Sequence, residues 1–160
     1  MAEKKVITNA MRLLKSAKIP FDSVSYEVDE NDLSGVHIAA QLGIDPGQVF
    51  KTLVTNGEKK GIQVFCIPVA EELDLKKCAA QTGDKKIEMI AVRELLPLTG
   101  YIRGGCSPVG MKKKYPTFID ESAKEYDRIY VSAGMRGEQL ILAPDALAAF
   151  VGAEFKNLTK

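Results

Sequence analysis

Between Gly100 and Lys114 the chain reads GYIRGGCSPVGMKKK, a stretch that holds the pair Gly104 and Gly105, a turn at Ser107 and Pro108, Gly110 and three consecutive lysines. Glycine admits positive φ and lets a ligand approach the backbone with no Cβ in the way, so successive N–H groups can converge on an oxygen or a phosphate. Basic residues just beyond suit a polyanion. A surface loop of turn residues with a solvated lysine run has the same composition, and the stretch alone leaves both open. Lys51 is the second residue with chemistry to offer. In VFKTLV, residues 49–54, it shares a strand face with Val49 and Leu53, where an ammonium must either snorkel to solvent or meet an anion. As a compact point charge it would bind phosphate or carboxylate.

The elements that must position these groups follow from periodicity and punctuation. Met11, Leu14 and Ala17 fall at helical spacing from Asn9 to Lys18, with Thr8 as N-cap and Pro20 as stop. Val24, Tyr26 and Val28 alternate with polar residues as on a half-buried strand. Ser34 caps a helix through Leu42 that Gly43 closes, and Asp74 caps another that Gly83 ends. Strands are expected at 49–54 and 62–67, joined through Asn56-Gly57, and at 85–90, 117–119, 128–132 and 139–142. A helix from Ala91 to Leu96 should stop at Pro97, and Pro144 should begin the last helix, through Val151. Strands joined partly by tight turns and partly by helices imply an α+β fold with a mixed sheet covered by helices.

At 160 residues the chain has the length of one domain, 1–160. The 22 lysines and arginines against 21 aspartates and glutamates leave a formal charge of +1. Any nucleic-acid affinity therefore rests on local clustering, and tight independent binding is not expected. The start, MAEKKVITNAMRLL, lacks the apolar run of a signal peptide, and no apolar segment reaches the about 18 residues of a membrane span. A cytoplasmic protein without a membrane partner is expected. Three cysteines with no CxxC pair, and one histidine, His37, argue against a zinc site or a disulfide framework. There is no GxSxG elbow, no GxxxxGK[ST] loop and no GxGxxG spacing. His37 has no adjacent nucleophile and reads as a surface histidine. A site made of a strand lysine, a strand tyrosine and backbone N–H groups binds and orients but brings no general base, so part of the chemistry must come from the substrate.

Six separated segments, VFKTLV at 49–54, IPVAEELDLKKCAA at 67–80, KKIEM at 85–89, GYIRGGCSPVGMKK at 100–113, PTFID at 116–120 and IYVSAGMRG at 129–137, resemble the YbaK/EbsC family. These are free-standing aminoacyl-tRNA editing proteins similar to the editing domain of bacterial prolyl-tRNA synthetases. The resemblance implies a mixed, partly barrel-like sheet of six or more strands flanked by helices. It implies deacylation of mischarged tRNA, for similar members Cys-tRNA(Pro) and also Cys-tRNA(Cys), by attack of the substrate thiol on its own ester. The partner is then the 3′ aminoacyl end of tRNA, with prolyl-tRNA synthetase a candidate second partner, no DNA, no metal and no cofactor.

Carried over residue by residue, the resemblance places Lys51, Gly104 and Gly105 as catalytic, the N–H groups at 104–107 as oxyanion donors and Lys51 at the phosphate of the terminal adenosine. Tyr26, Phe50, Ser107, Pro108, Arg136 and Gln139 are the substrate-binding positions. Better-known members carry an aspartate where this chain has Gln139, which cannot act as a base near neutral pH. If Gln139 faces the pocket, Glu138 should face away. Deacylation of another small aminoacyl-tRNA such as Ala-tRNA(Pro), or non-catalytic tRNA binding through Lys85, Lys86 and Lys112 to Lys114, are the alternatives left open.

Overall fold

The computed structural model describes residues 6–160; residues 1–5, part of the start read as lacking a leader, lie outside them. Thr8 caps α1 (Asn9–Ser16) by accepting from the Met11 N–H at 3.2 Å, and the helix buries Ala10, Met11 and Leu14. It ends two residues before the expected Lys18, which takes φ 60°. β1 (Asp22–Ser25) is followed by an acidic loop and then α2 (Gly35–Leu42), where Ser34 accepts from the His37 N–H and Gly43 closes the helix. β2 (Phe50–Gly57) and β3 (Gly61–Pro68) form one long hairpin with Phe50 opposite Pro68. Asp74 caps α3 (Leu75–Thr82). There follow β4 (Ile87–Met89), α4 (Val92–Thr99), β5 (Thr117–Asp120), β6 (Ile129–Ser132), β7 (Glu138–Leu142), α5 (Pro144–Val151) and β8 (Glu154–Lys156).

The strands form two sheets, not the single partly barrel-like sheet expected. One is three-stranded and antiparallel, in the order β1-β7-β6; the other is five-stranded and mixed, in the order β4-β2-β3-β5-β8. One isolated backbone bridge, Val49 to Tyr130, links them. Alternation along the five-stranded sheet gives it two buried faces. Phe50, Cys66 and Ile119 pack toward Val131, Leu140 and Leu142 of the small sheet and toward α1 and α5. Phe65 and Ile67 pack on the other side against Cys78 and Ala79 of α3, with Phe65 stacked on Phe118 at 5.4 Å. The arrangement is a mixed α+β one of helices on paired sheets.

Three local expectations are corrected. β1 stops at Ser25, because its partner β7 begins only at Glu138, after Gly137 turns the chain at φ 95°. Tyr26 keeps one bond, from its N–H to the Gly137 carbonyl, but Val28 is exposed and shares no buried face with it. α4 runs through Pro97 to Thr99. The ring removes one intrahelical bond, to the carbonyl of Arg93, where both residues are exposed and the carbonyl is open to solvent. β8 exists only as a parallel partner of β5.

β4 pairs with β2 only at Thr55–Gly57, so the Lys51–Leu53 edge of β2 has no strand partner on that side. The hairpin end is fastened by Asp84, whose carboxylate accepts from the N–H groups of Lys59, Lys60 and Lys85 at 3.0, 2.9 and 2.7 Å and from Gln63 Nε2 at 3.2 Å. Gly57 must be glycine for this approach, since a Cβ there would lie 2.0 Å from the Asp84 carboxylate. Desolvation pushes the Asp84 pKa up, and the backbone donors, including the Lys86 N–H, outweigh it, holding the carboxyl below the usual carboxylate range. A depressed pKa stabilises the fold above the unfolded-state value, and that contribution is lost as pH falls through the folded one. Amide exchange of residues 58–63 should therefore speed up in Asp84→Ala at neutral pH. Acidification below about pH 4 should have the same effect on the native protein and little further effect on the variant.

Candidate active site

Along the open edge of β2 runs a cleft of about 700 Å³. Phe50, Lys51 and Thr52 form one wall, Ser34, Gly35 and Ile38 at the start of α2 a second, and Val92 and Leu95 of α4 a third. Gly104 and Cys106 close one end, and Ser132 and Gln139 of the small sheet form the floor. Ser132 and Gln139 stand opposite each other in the β6–β7 register, which is why both reach the same floor. A tight approach of α2 to β3 narrows the cleft, since a Cβ on Gly35 would lie 2.1 Å from Val69.

Lys51 lies in the cleft wall, half-buried. Burial lowers its pKa, and the carboxylates of Glu72 and Glu71 offset part of that effect. Among the described residues no carboxylate lies within 4 Å of its ammonium, so its charge is free to meet an anion. Gln139 is 3% exposed and its Oε1 has no hydrogen-bond partner. An orphaned buried acceptor loses its hydration without compensation, which a ligand donor in the cleft would supply. Glu138 turns to the opposite face and accepts from Ser25 Oγ at 2.5 Å.

The glycine turn divides its labour. The Gly105 N–H donates to the Ile102 carbonyl at 3.0 Å, closing a turn in which Gly104 takes φ 84°. The Gly105 N–H is thereby engaged within the turn. The N–H groups of Gly104 and Cys106 make no bond within the described residues and belong to residues lining the cleft. Gly105 is needed for packing: a Cβ there would lie 3.1 Å from the backbone of Met135 and Arg136. Ser107 and Pro108 do not line the cleft. Both are buried away from the cleft, with Ser107 Oγ accepting from the Val109 N–H at 3.2 Å and Pro108 facing a second hollow. Arg136 lies behind the turn and holds it, its Nε donating to the Arg103 carbonyl at 2.8 Å. Tyr26 lines a small recess with Gly104 and His37 beside the cleft, not the cleft itself. His37 stands between Asp32 at 3.7 Å and Asp29 at 4.0 Å.

The geometry thus joins Lys51, Phe50, Gly104 and Gln139, and leaves Gly105, Ser107, Pro108 and Arg136 outside. Residues 34–150 match a single family, the aminoacyl-tRNA editing domain. The chain belongs to that family. Like this editing domain in sequence are a provisionally named Cys-tRNA(Pro)/Cys-tRNA(Cys) deacylase EbsC of Enterococcus faecalis, 48% identical over 99% of this chain and 98% of the relative, and the proline–tRNA ligase of Thermosipho melanesiensis, 26% identical over 74% of this chain and 22% of the ligase. A solved structure described as a provisional trans-editing enzyme for prolyl-tRNA synthetase superposes with a TM-score of 0.80 at 25% identity, covering 97% of this chain and 99% of that one.

Of the residues in the editing domain's cleft, Ser132 was not singled out in the sequence, Ser34 was read only as a helix cap and Cys106 only through its N–H. The alternation of IYVS does place Ser132 on the face of Tyr130, but its meeting with Gln139 depends on a strand register that no local pattern carries. Cys106 is the one cysteine among the residues that line the cleft. Burial pushes its thiol up to about 12, as it does for Cys66 and Cys78, so at neutral pH it is an inert thiol. The native protein at pH 8 should react with thiol reagents on the order of 10³-fold more slowly than free cysteine, with all three thiols titrating at once on denaturation. Fast labelling of Cys106 alone would reveal an activated nucleophile.

Proposed function

We propose that this editing domain removes cysteine from mischarged Cys-tRNA(Pro), and from Cys-tRNA(Cys), by letting the substrate thiol attack its own ester carbonyl. The reading rests on one observation above the rest: the cleft offers an ammonium with no carboxylate within 4 Å among the described residues, two backbone N–H donors without a bond there and an orphaned amide, while its one thiol is held protonated by burial. A pocket of that kind stabilises charge and holds a conformer, and the reacting sulfur must arrive with the substrate. The carbon–sulfur bond forms as the ester carbon–oxygen bond breaks, the sulfur's proton passes to the ribose oxygen, and the products are free tRNA and a small cyclic thioester. The Enterococcus relative's name supports the choice of aminoacyl group. Residues 1–160 act as one editing domain in the cytoplasm, with prolyl-tRNA synthetase as the second partner.

In this reading the N–H groups of Gly104 and Cys106 receive the developing oxyanion, in place of the Gly105 donor. Lys51 holds the phosphate of the terminal adenosine, and Phe50 gives the aminoacyl group an apolar wall. Gln139 Oε1 accepts from a donor of the substrate. Being neutral it orients without taking a proton.

Purified protein with Cys-tRNA(Pro) should release tRNA, while Ala-tRNA(Pro) and Ser-tRNA, which lack the thiol, should turn over at least about tenfold more slowly, roughly 1.4 kcal/mol of barrier. Equal rates for alanine and cysteine would mean that water is the nucleophile. Lys51→Ala should lose about 10²-fold or more in kcat/KM with an unchanged circular dichroism spectrum. Gln139→Asp should stay within about tenfold of the native rate, and Gln139→Leu should fall further because the substrate donor is left unpaired. A hundredfold gain in Gln139→Asp would instead assign a carboxylate a catalytic part at this position.

A further inference from the structure

The two sides of the cleft mouth differ in character. On the α2 side stand Asp29 and Asp32, both beside His37, and Glu30 beside Arg136. On the α4 side the chain exposes Met89, Val92, Leu96 and Ile102, at 47, 63, 53 and 47%. Val92 and Leu96 are i and i+4 on α4 and share its outward face. Glu94 falls about 200° round the helix from Val92 and off that face.

The cations of this edge have no acidic partners. Among the described residues no carboxylate lies within 4 Å of Arg93, Arg103, Lys112, Lys113 or Lys114. The lysine run is anchored to the far end of α4, where the Lys112 N–H donates to the Thr99 carbonyl at 2.9 Å. Lys113 and Lys114 border a second hollow of about 210 Å³ with Tyr115 and Phe150 in its wall. From Val92 in the cleft wall to Thr99 beside Lys112 the helix rises on the order of 10 Å, about three base steps of a nucleic-acid strand. An apolar stripe ending in unpaired lysines suits bases followed by phosphates. A protein partner of the same edge would be expected to bring carboxylates to it.

We infer that α4 and the Lys112–Lys114 run are the track for the RNA strand that bears the aminoacyl group. The unpaired 3′ nucleotides lie across Val92 and Leu96, and the phosphates of the adjoining stem lie on the three lysines. The placement extends the cleft away from the acidic α2 side, and it accounts for a lysine run that takes no part in the cleft itself. It rests on the reading of the cleft as an aminoacyl-tRNA site.

The experiment compares the full-length native protein with Lys112→Gln/Lys113→Gln/Lys114→Gln, all three positions being exposed. Uncharged tRNA binding is measured across salt concentrations, and deacylation is measured on Cys-tRNA and on the cysteinyl ester of adenosine. The triple variant should bind tRNA at least tenfold more weakly, with a salt slope shallower by about two to three. Its loss of kcat/KM on Cys-tRNA should exceed that on the adenosine ester by at least tenfold, through KM. Val92→Ser/Leu96→Ser should weaken tRNA binding with the salt slope unaltered. A native salt slope in the triple variant overturns the track, as does an equal loss on both esters or a loss confined to binding of prolyl-tRNA synthetase. Failure of the native protein to cleave either ester would strike the proposed activity and leave the binding arm to decide the track.

Discussion

The open edge of β2 between Lys51 and Leu53 is the constraint on which the site depends. Strand edges present unpaired N–H and C=O groups and recruit other strands unless something covers them. Here β4 stops short after pairing Thr55–Gly57, and the small sheet makes its one backbone bridge at Val49, just before β2 begins. The gap is flanked by the first turn of α2 and by α4, which stand off far enough to leave a cleft. Rigidity comes from behind: Phe65 and Ile67 fix one face of the large sheet against α3, and Phe50 and Cys66 fix the other against the small sheet. Lys51 and Gln139 are thus carried on strands whose neighbours cannot shift without opening a packed core.

Two adjacent glycines serve this cleft for different physical reasons. Gly104 supplies a backbone angle, φ 84°, that favours glycine. Gly105 supplies absence of bulk, letting the turn lie against the 135–136 backbone. Arg136 then ties the turn from behind through the Arg103 carbonyl. The result is a fixed pair of N–H groups, at Gly104 and Cys106, one on either side of a residue whose own N–H is committed.

What the sequence made legible is what local chemistry decides. Thr8, Ser34 and Asp74 cap the helices assigned to them, and the β2–β3 hairpin follows from two apolar runs round a turn. Lys51, Phe50, Gly104 and Gln139 were named and do meet. What was not legible depends on distant partners. The end of β1 is set by Gly137, β8 by parallel pairing with β5, and the division into two sheets by the single backbone bridge between Tyr130 of β6 and Val49 before β2. Gly105, Ser107 and Pro108 were placed at the site by the family resemblance; here the Gly105 N–H closes a turn, and Ser107 and Pro108 are buried off the cleft.

The electrostatics of the cleft give Gln139 its meaning. Lys51 pays for burial with a lowered pKa, and its acidic neighbours, Glu71 and Glu72, are too distant for a direct ion pair. A carboxylate on the floor at position 139 would place a negative charge in the same cavity and compete with an incoming phosphate for the ammonium. The amide keeps hydrogen-bonding capacity without that competition, and its oxygen is left unpartnered. Among the charged residues that line the cleft, Lys51 and Arg103 stand against one carboxylate, Asp32, and the chain as a whole is nearly balanced at +1. A local excess of cations at one cleft lets a nearly neutral protein attract an anion there without a uniformly basic surface.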